Sequence, residues 1–147
     1  MTVDVCMEIV IARSPQEVAA FAANPDNATL WYSKIKSVDW QTPPPLRIGS
    51  RIAFVADFLG RRLSYTYEII VLDLPHRLVM RTSEGPFPME TAYSWTPHAS
   101  GATLMSLRNT GNPSGFSALM APFLSSAMKA ANRKDLLLLK TVLEAQE

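Results

Sequence analysis

The stretch from residue 116 to 145 does most to constrain what this chain can fold into. It contains no glycine and is rich in Ala, Leu, Met and Lys, a helical composition. Pro122 lies inside it, which predicts a kink or a fresh helix start there. From Pro122 to Ala145 such a helix is about 36 Å long at 1.5 Å per residue. Its apolar surface is wide: Leu119, Met120, Phe123, Leu124, Ala127, Met128 and Ala131, then Leu136 to Leu139, Val142 and Leu143. A helix this long with so broad an apolar face must lie against something large.

The residues before it supply that partner. From Lys34 to Asn109 the texture is strands and turns, with strands predicted over 34–42, 50–59, 62–73, 77–83, 87–96 and 102–110. Pro43–Pro45, Gly60-Arg61, Pro75-His76, Gly85-Pro86 and Ser100-Gly101 punctuate them. Consecutive strands with short connections imply an antiparallel meander. Residues 111–115, Gly-Asn-Pro-Ser-Gly, then break the pattern.

The N-terminal part adds one strand and two short helices. Val3, Val5, Met7, Ile9 and Ile11 alternate with Asp4, Cys6 and Glu8, so residues 3–12 read as a half-buried strand. Ser14-Pro15-Gln16-Glu17 is a helix start, with a capping serine, proline at the first helical position and Glu17 at the capping-box position. Asn24-Pro25-Asp26 stops that helix, and a second runs through Ala28, Leu30 and Trp31. The expected architecture is α+β, one domain over residues 1–147. A twisted seven-stranded antiparallel sheet wraps around the long terminal helix in the order strand, two helices, six strands, helix.

Composition excludes several classes. With 147 residues, 48% hydrophobic and 18% charged, the chain is globular, not disordered. The balance of 14 Lys+Arg against 13 Asp+Glu argues against nucleic acid as a partner. A single cysteine, Cys6, excludes an internal disulfide and any Cys-based zinc site, and fits a reducing compartment. His76 and His98 each stand beside a proline in a turn, with no carboxylate or cysteine at ligand or triad spacing, so no metal or cofactor is expected. No window reaches 18 apolar residues without charge, so stable membrane insertion is not expected. The first residues carry an acid and no basic n-region, which does not read as a signal peptide. A cytoplasmic monomer or homodimer is the expectation.

Three stretches carry a family resemblance. The first runs from Ile11 through Arg13-Ser-Pro-Gln-Glu-Val to Asn24-Pro-Asp-Asn, followed by Trp31. The second runs from Asp73-Leu-Pro-His-Arg-Leu-Val-Met-Arg to Tyr93-Ser-Trp-Thr-Pro and Gly101-Ala-Thr-Leu, where Ala102 intervenes in a Gly-Thr turn. The third is Asn132-Arg-Lys-Asp-Leu-Leu-Leu-Leu-Lys-Thr-Val-Leu-Glu. In this order and spacing the chain resembles the SRPBCC, or helix-grip, superfamily. That group includes START lipid-transfer domains, birch-pollen-allergen-like proteins and bacterial polyketide cyclases, and the chain looks closest to the polyketide cyclase/dehydrase-like branch. The resemblance implies a helix-grip fold and a cavity between sheet and terminal helix. It implies no shared catalytic set, because function lives in sites and not in folds.

The residues expected to line such a cavity follow from strand phase. Phe54 and Phe58 share a face with Ile52 and Ala56. Tyr65 and Tyr67 share one with Leu63, Ile69 and Val71, and Met89, Tyr93 and Trp95 share one with Phe87 and Thr91. Trp31 from the second helix and Phe116, Met120, Phe123 and Ala127 from the last complete the expected lining. An apolar pocket with a few phenols binds small hydrophobic ligands and orients them with sparse polar groups. The bland alternative for each of these residues is ordinary core packing. Arg108, Glu90 and Tyr65 are the candidates for chemistry. A buried Arg108 would hold a carboxylate or enolate bidentately, and a desolvated Glu90 would act as a base. Yet Arg108 shares its face with Leu104 and Ser106, and Glu90 is out of phase with Met89 and Trp95, so Glu90 faces water if those two face inward. Lys129, Arg133, Lys134 and Lys140, with Asp135 and Glu144 nearby, read as the solvated face of the last helix. Arg61-Arg62 reads as a charged hairpin tip.

Three functions are compatible with this reading. One is a binding protein for a small hydrophobic or amphipathic, lipid- or polyketide-like ligand. The second is a cyclase, aromatase or dehydratase using the same cavity. The third is a protein-interaction module, which an exposed apolar patch without a cavity would favour.

Overall fold

The computed structural model describes residues 2–85, 87–112 and 121–146. Strand β1 spans Val3–Ile11, with Val3, Val5 and Ile11 buried and Asp4, Cys6 and Glu8 exposed. Helix α1, Pro15–Ala22, starts where Ser14 Oγ accepts the Glu17 N–H at 3.2 Å. The Glu17 carboxylate returns to the serine hydroxyl, at 3.1 Å, a variant of the capping box. A 3-10 turn over Pro25–Asn27 leads into the short helix α2, Ala28–Trp31.

Six strands follow: β2 (Ile35–Trp40), β3 (Arg51–Phe58), β4 (Arg61–Asp73), β5 (Arg77–Glu84), β6 (Met89–His98) and β7 (Ala102–Gly111). β2 is shorter than the predicted 34–42. It ends before Pro43–Pro45, a run with no N–H to give to a ladder. All pairings are antiparallel and the order across the sheet is β1-β7-β6-β5-β4-β3-β2. β1 and β2 are therefore neighbours in sequence but stand at opposite edges, with α1 and α2 crossing between them. Register shifts near Ile35/Ser37, Thr66/Tyr67 and Ile69/Val71 bend the strands and increase their twist. The last of these changes the phase of β4, so that Leu72 packs against the core. The expectation that Val71 continues the face of Tyr65, Tyr67 and Ile69 took no account of that bulge.

Helix α3, Ala121–Glu144, lies against this sheet. Pro122 sits in the first described turn. Leu124, Asn132, Asp135, Leu136, Leu139 and Leu143 are buried and Met128 and Ala131 half-buried, the spacing of one helical face. The C-terminal end is tied to the end of β1. Arg13 Nε donates to Leu143 O at 3.0 Å, the Ala12 N–H donates to Glu144 Oε2 at 2.8 Å, and Lys140 Nζ donates to Val10 O at 2.8 Å. Among the described residues no helix is long and apolar enough to cross a membrane.

Among the described residues, two clusters of buried apolar side chains stand out. The larger includes Ile11, Val18, Trp31, Ile52, Leu78, Trp95, Met105, Leu107, Leu136, Leu139 and Leu143. The smaller, Val3, Val5 and Leu124 with Phe58 and Met128 packed on it, lies toward the N-terminal end of α3. The outer face of the sheet carries ion pairs instead: Arg51–Glu68, Arg62–Asp57, Arg81–Glu90 and Arg108–Asp4.

Candidate functional site

Sheet and α3 do not close completely on each other between the two apolar groups. An outer compartment of about 120 Å³ is walled by Val3, Phe58, Leu63, Phe87 and Gly111 from the sheet side and by Leu124, Met128 and Ala131 from α3. An inner one of about 110 Å³ runs beneath α1 and α2, walled by Ala22, Ala28, Ile52, Phe54, Ile69, Leu78 and Met80. Tyr32, Ile35, Tyr65, Met89 and Asn109 line both, so the two compartments adjoin and share a wall. Each is smaller than the roughly 300–1,000 Å³ of typical small-ligand sites. Gly111, on the wall of the outer compartment, allows a close approach of the neighbouring chain: a Cβ there would stand 2.9 Å from Pro88 O and 3.2 Å from Met89 Cγ.

The aromatic side chains pack in two groups. Phe54, Tyr65 and Tyr67 pack with ring centroids 5.2–5.9 Å apart, and Tyr93 meets Trp31 at 5.8 Å and Trp95 at 5.9 Å. The Tyr32 and Tyr93 hydroxyls hydrogen-bond to each other. Burial holds the Tyr32, Tyr65 and Tyr93 phenols well above their ordinary range, with neighbouring phenols and Asp135 adding to the effect at Tyr32 and Tyr65. Tyr67 is pushed up to about 12 by burial, against its hydrogen bond to Thr91. All four are neutral hydrogen-bonding groups at physiological pH.

The polar part of the cavity comes from β7 and α3. Asn109 is in phase with Thr103, Met105 and Leu107 on the inner face of β7 and is buried with them. Asn132 and Asp135 lie on the inner face of α3, and both line the outer compartment. Asp135 Oδ1 accepts the N–H and the hydroxyl of Ser33, each at 3.0 Å. Burial raises the Asp135 carboxyl above the ordinary carboxylate range, with the two Ser33 hydrogen bonds and nearby Lys134 and Lys34 opposing it.

Of the residues expected to line the cavity, Phe54, Phe58, Tyr65, Tyr67, Met89 and Tyr93 do so. Phe116 and Met120 lie outside the described residues. Trp31 and Trp95 line neither compartment: both are fully buried in the larger core, behind the Tyr93 ring. Phe123 is 71% exposed and Ala127, half-buried, lines neither compartment. Each residue on an α-helix turns the side chain by about 100°, so the face led by Leu124 and Met128 leaves Phe123 and Ala127 at its margin. Arg108 does not reach the cavity. It faces outward with Leu104 and Ser106 and pairs with Asp4. Glu90 also faces outward, 3.1 Å from Arg81. Strand alternation puts both opposite the apolar positions.

Asp135 moves the other way. Grouped by sequence with the solvated charges of α3, it is 3% exposed. Tyr32, Asn109, Asn132 and Asp135 were not singled out by sequence reasoning. The available signal was a polar residue recurring in phase with apolar ones, Asn109 with Met105 and Leu107, and Asn132 and Asp135 with Met128 and Leu139.

Residues 2–144 match the family described as polyketide cyclase / dehydrase and lipid transport. No curated protein matches the sequence significantly. Several solved structures share the fold. A Thermus thermophilus protein is 19% identical over 97% of each chain, with a TM-score of 0.84. A START superfamily protein from Mycobacterium smegmatis is 12% identical over 96% of this chain and 97% of its own, at 0.83. The Zhui aromatase/cyclase of a Streptomyces species is 13% identical over 98% of this chain and 94% of its own, at 0.80.

Proposed function

The chain belongs to the polyketide cyclase / dehydrase and lipid transport family, and from that premise we propose that it binds a small hydrophobic or amphipathic molecule between the sheet and α3. The observation that carries this reading is the pair of adjoining compartments. Their walls are aromatic and aliphatic, and their polar groups include Asn109 of β7, Asn132 and Asp135 of α3 and Tyr32, which follows α2. Apolar walls supply affinity by removing ligand surface from water, and sparse polar groups set orientation.

The experiment is native mass spectrometry of the freshly purified protein, followed by thermal unfolding with 2-ethylnaphthalene, a compact apolar probe. A co-purifying small molecule, or a melting temperature that climbs with probe concentration, is the expected result, because a ligand that binds only the native state stabilises it. Ala131→Phe, which puts a ring into the outer compartment, should abolish that response. A protein that carries nothing and answers neither this probe nor a panel of fatty acids and aromatic polyketides would favour the interaction-module reading.

A second reading has its own support. Neutral phenols at Tyr32 and Tyr65 line the outer compartment with Asp135, a set able to polarise a carbonyl and move a proton. A single positioned acid or base contributes about 10²–10⁴-fold, so turnover of a poly-β-ketone substrate that falls by that order in Tyr65→Phe or Asp135→Asn would make the protein a cyclase or dehydratase rather than a carrier.

A further inference from the structure

Four buried polar side chains join across the cavity wall, and their protons all run one way. Thr91 Oγ1 donates its single proton to Asn109 Oδ1 at 2.8 Å, so the 2.8 Å contact with Tyr67 must have the phenol as donor. Asn109 Nδ2 then donates to Asn132 Oδ1 at 3.3 Å. That direction leaves the Asn132 Nδ2 N–H groups at the end of the series, on a residue that lines the outer compartment. Asn132 is 5% exposed, and its Nδ2 has no partner among the described residues. A buried donor without an acceptor is costly and rare in a native structure.

One helical turn further on, at i+3 on the same face, Asp135 lines the same compartment. Its Oδ1 is occupied by both Ser33 donors, and Oδ2 makes none of the described hydrogen bonds. Among the described residues, a donor and an acceptor without hydrogen-bond partners thus lie one helical turn apart on the lining of a compartment walled by Phe58, Leu63, Leu124 and Met128.

We propose that Asn132 and Asp135 form a two-point anchor for the polar end of the ligand, Asn132 Nδ2 donating to a carbonyl oxygen and Asp135 Oδ2 accepting an N–H or O–H carried beside that carbonyl. The ligand class is an apolar, ring-sized body ending in a carboxamide, a hydroxyketone or an enolised diketone. The proposal rests on the reading of the cavity as a ligand site and adds the chemistry of the ligand's end.

Three probes of nearly equal shape test it on the full chain by titration calorimetry: 2-naphthamide offers acceptor and donor, 2-acetylnaphthalene an acceptor only, 2-ethylnaphthalene neither. Each added hydrogen bond should tighten binding by about fivefold to tenfold, the net worth of one such bond. Asn132→Asp keeps the shape and the Asn109 contact but removes the donor, and should erase the advantage of the ketone over the hydrocarbon. Asp135→Asn keeps an oxygen for Ser33 but places an amide NH₂ where the acceptor was, and should erase the advantage of the amide over the ketone. Circular dichroism establishes that both variants are folded. Equal affinity for all three probes, or discrimination that survives in both folded variants, overturns the anchor and leaves the cavity reading standing. Binding of none of the three overturns the anchor, and the cavity reading then falls only if the wider panel also fails.

Discussion

Arg108 grips Asp4 across the outer face of the β1–β7 pair, Nη2 to Oδ2 at 2.6 Å and Nε to Oδ1 at 2.9 Å. The pair is diagonal, since Arg108 lies opposite Cys6 and Asp4 opposite Thr110. It ties the edge strand to its neighbour from the side away from the cavity. The guanidinium holds the Asp4 carboxyl below its ordinary value. Arg108→Ala should therefore leave the affinity for 2-ethylnaphthalene unchanged in a calorimetric titration. Loss of binding in that variant would place Arg108 at the ligand after all.

Asp135 should set a pH dependence of opposite sign from an ordinary ion-paired carboxylate. Its folded pKa is raised by burial, so between its unfolded and folded values the native state binds more protons, and stability falls as pH rises through that window. Asp135→Asn removes the cost of burying the charge while keeping an acceptor for Ser33. Urea titrations should find the variant more stable than the wild type at neutral pH. The difference should shrink as pH falls through the folded Asp135 pKa and vanish below the ordinary aspartate value. A difference that is flat with pH would refute this account.

Gly111 is paired on both sides, with Val3 and with Met89, and has no room for a methyl group beside Pro88 O. Gly111→Ala forces a backbone shift at the cavity wall, and overpacking of this kind costs about 1–3 kcal/mol. Chemical denaturation gives the value directly. An unchanged midpoint would mean that the Pro88 segment yields freely.

Phe123 and Leu124 are adjacent in sequence and opposite in environment, the first 71% and the second 2% exposed. Leu124→Ala should cost about 2–5 kcal/mol, the range for a truncated core leucine. Phe123→Ser should stay within about 0.5 kcal/mol, as surface substitutions do. Equal effects in the two variants would show that the helix face has been assigned wrongly.

Strand phase made most of the sheet legible in the sequence. Val3 and Val5 in, Asp4 and Cys6 out, Phe54 and Tyr65 in, and Glu90 out all follow from a period of two that leaves each residue only two options. The bulge at Ile69/Val71 is the exception, because nothing in Ile-Ile-Val-Leu distinguishes one face from the other. The terminal helix was harder to read. So many of its residues are apolar that a stripe wide enough to include Phe123 and Ala127 was as consistent as the true one. The polar end of the site was hidden for a different reason. Asn132 and Asp135 sit in a charged stretch, Asn132-Arg-Lys-Asp, and composition alone gives such residues to solvent. Their burial follows from the phase of Leu136, Leu139 and Leu143, which are three and four residues apart.

The unequal division of the buried side chains has a consequence for exchange with solvent. The last turns of α3 are fastened to β1 by Arg13, Lys140 and Glu144 and rest on the larger core, whereas among the described residues the turns around Leu124 and Met128 rest on Val3, Val5 and Phe58 beside the outer compartment. Local opening free energies track this kind of difference. Amide protons from Leu136 to Leu143 should exchange with deuterium only when the whole chain unfolds. Those from Leu124 to Ala131 should exchange earlier, through a partial opening that leaves the sheet intact, so the helix is a hinged beam with one fixed end.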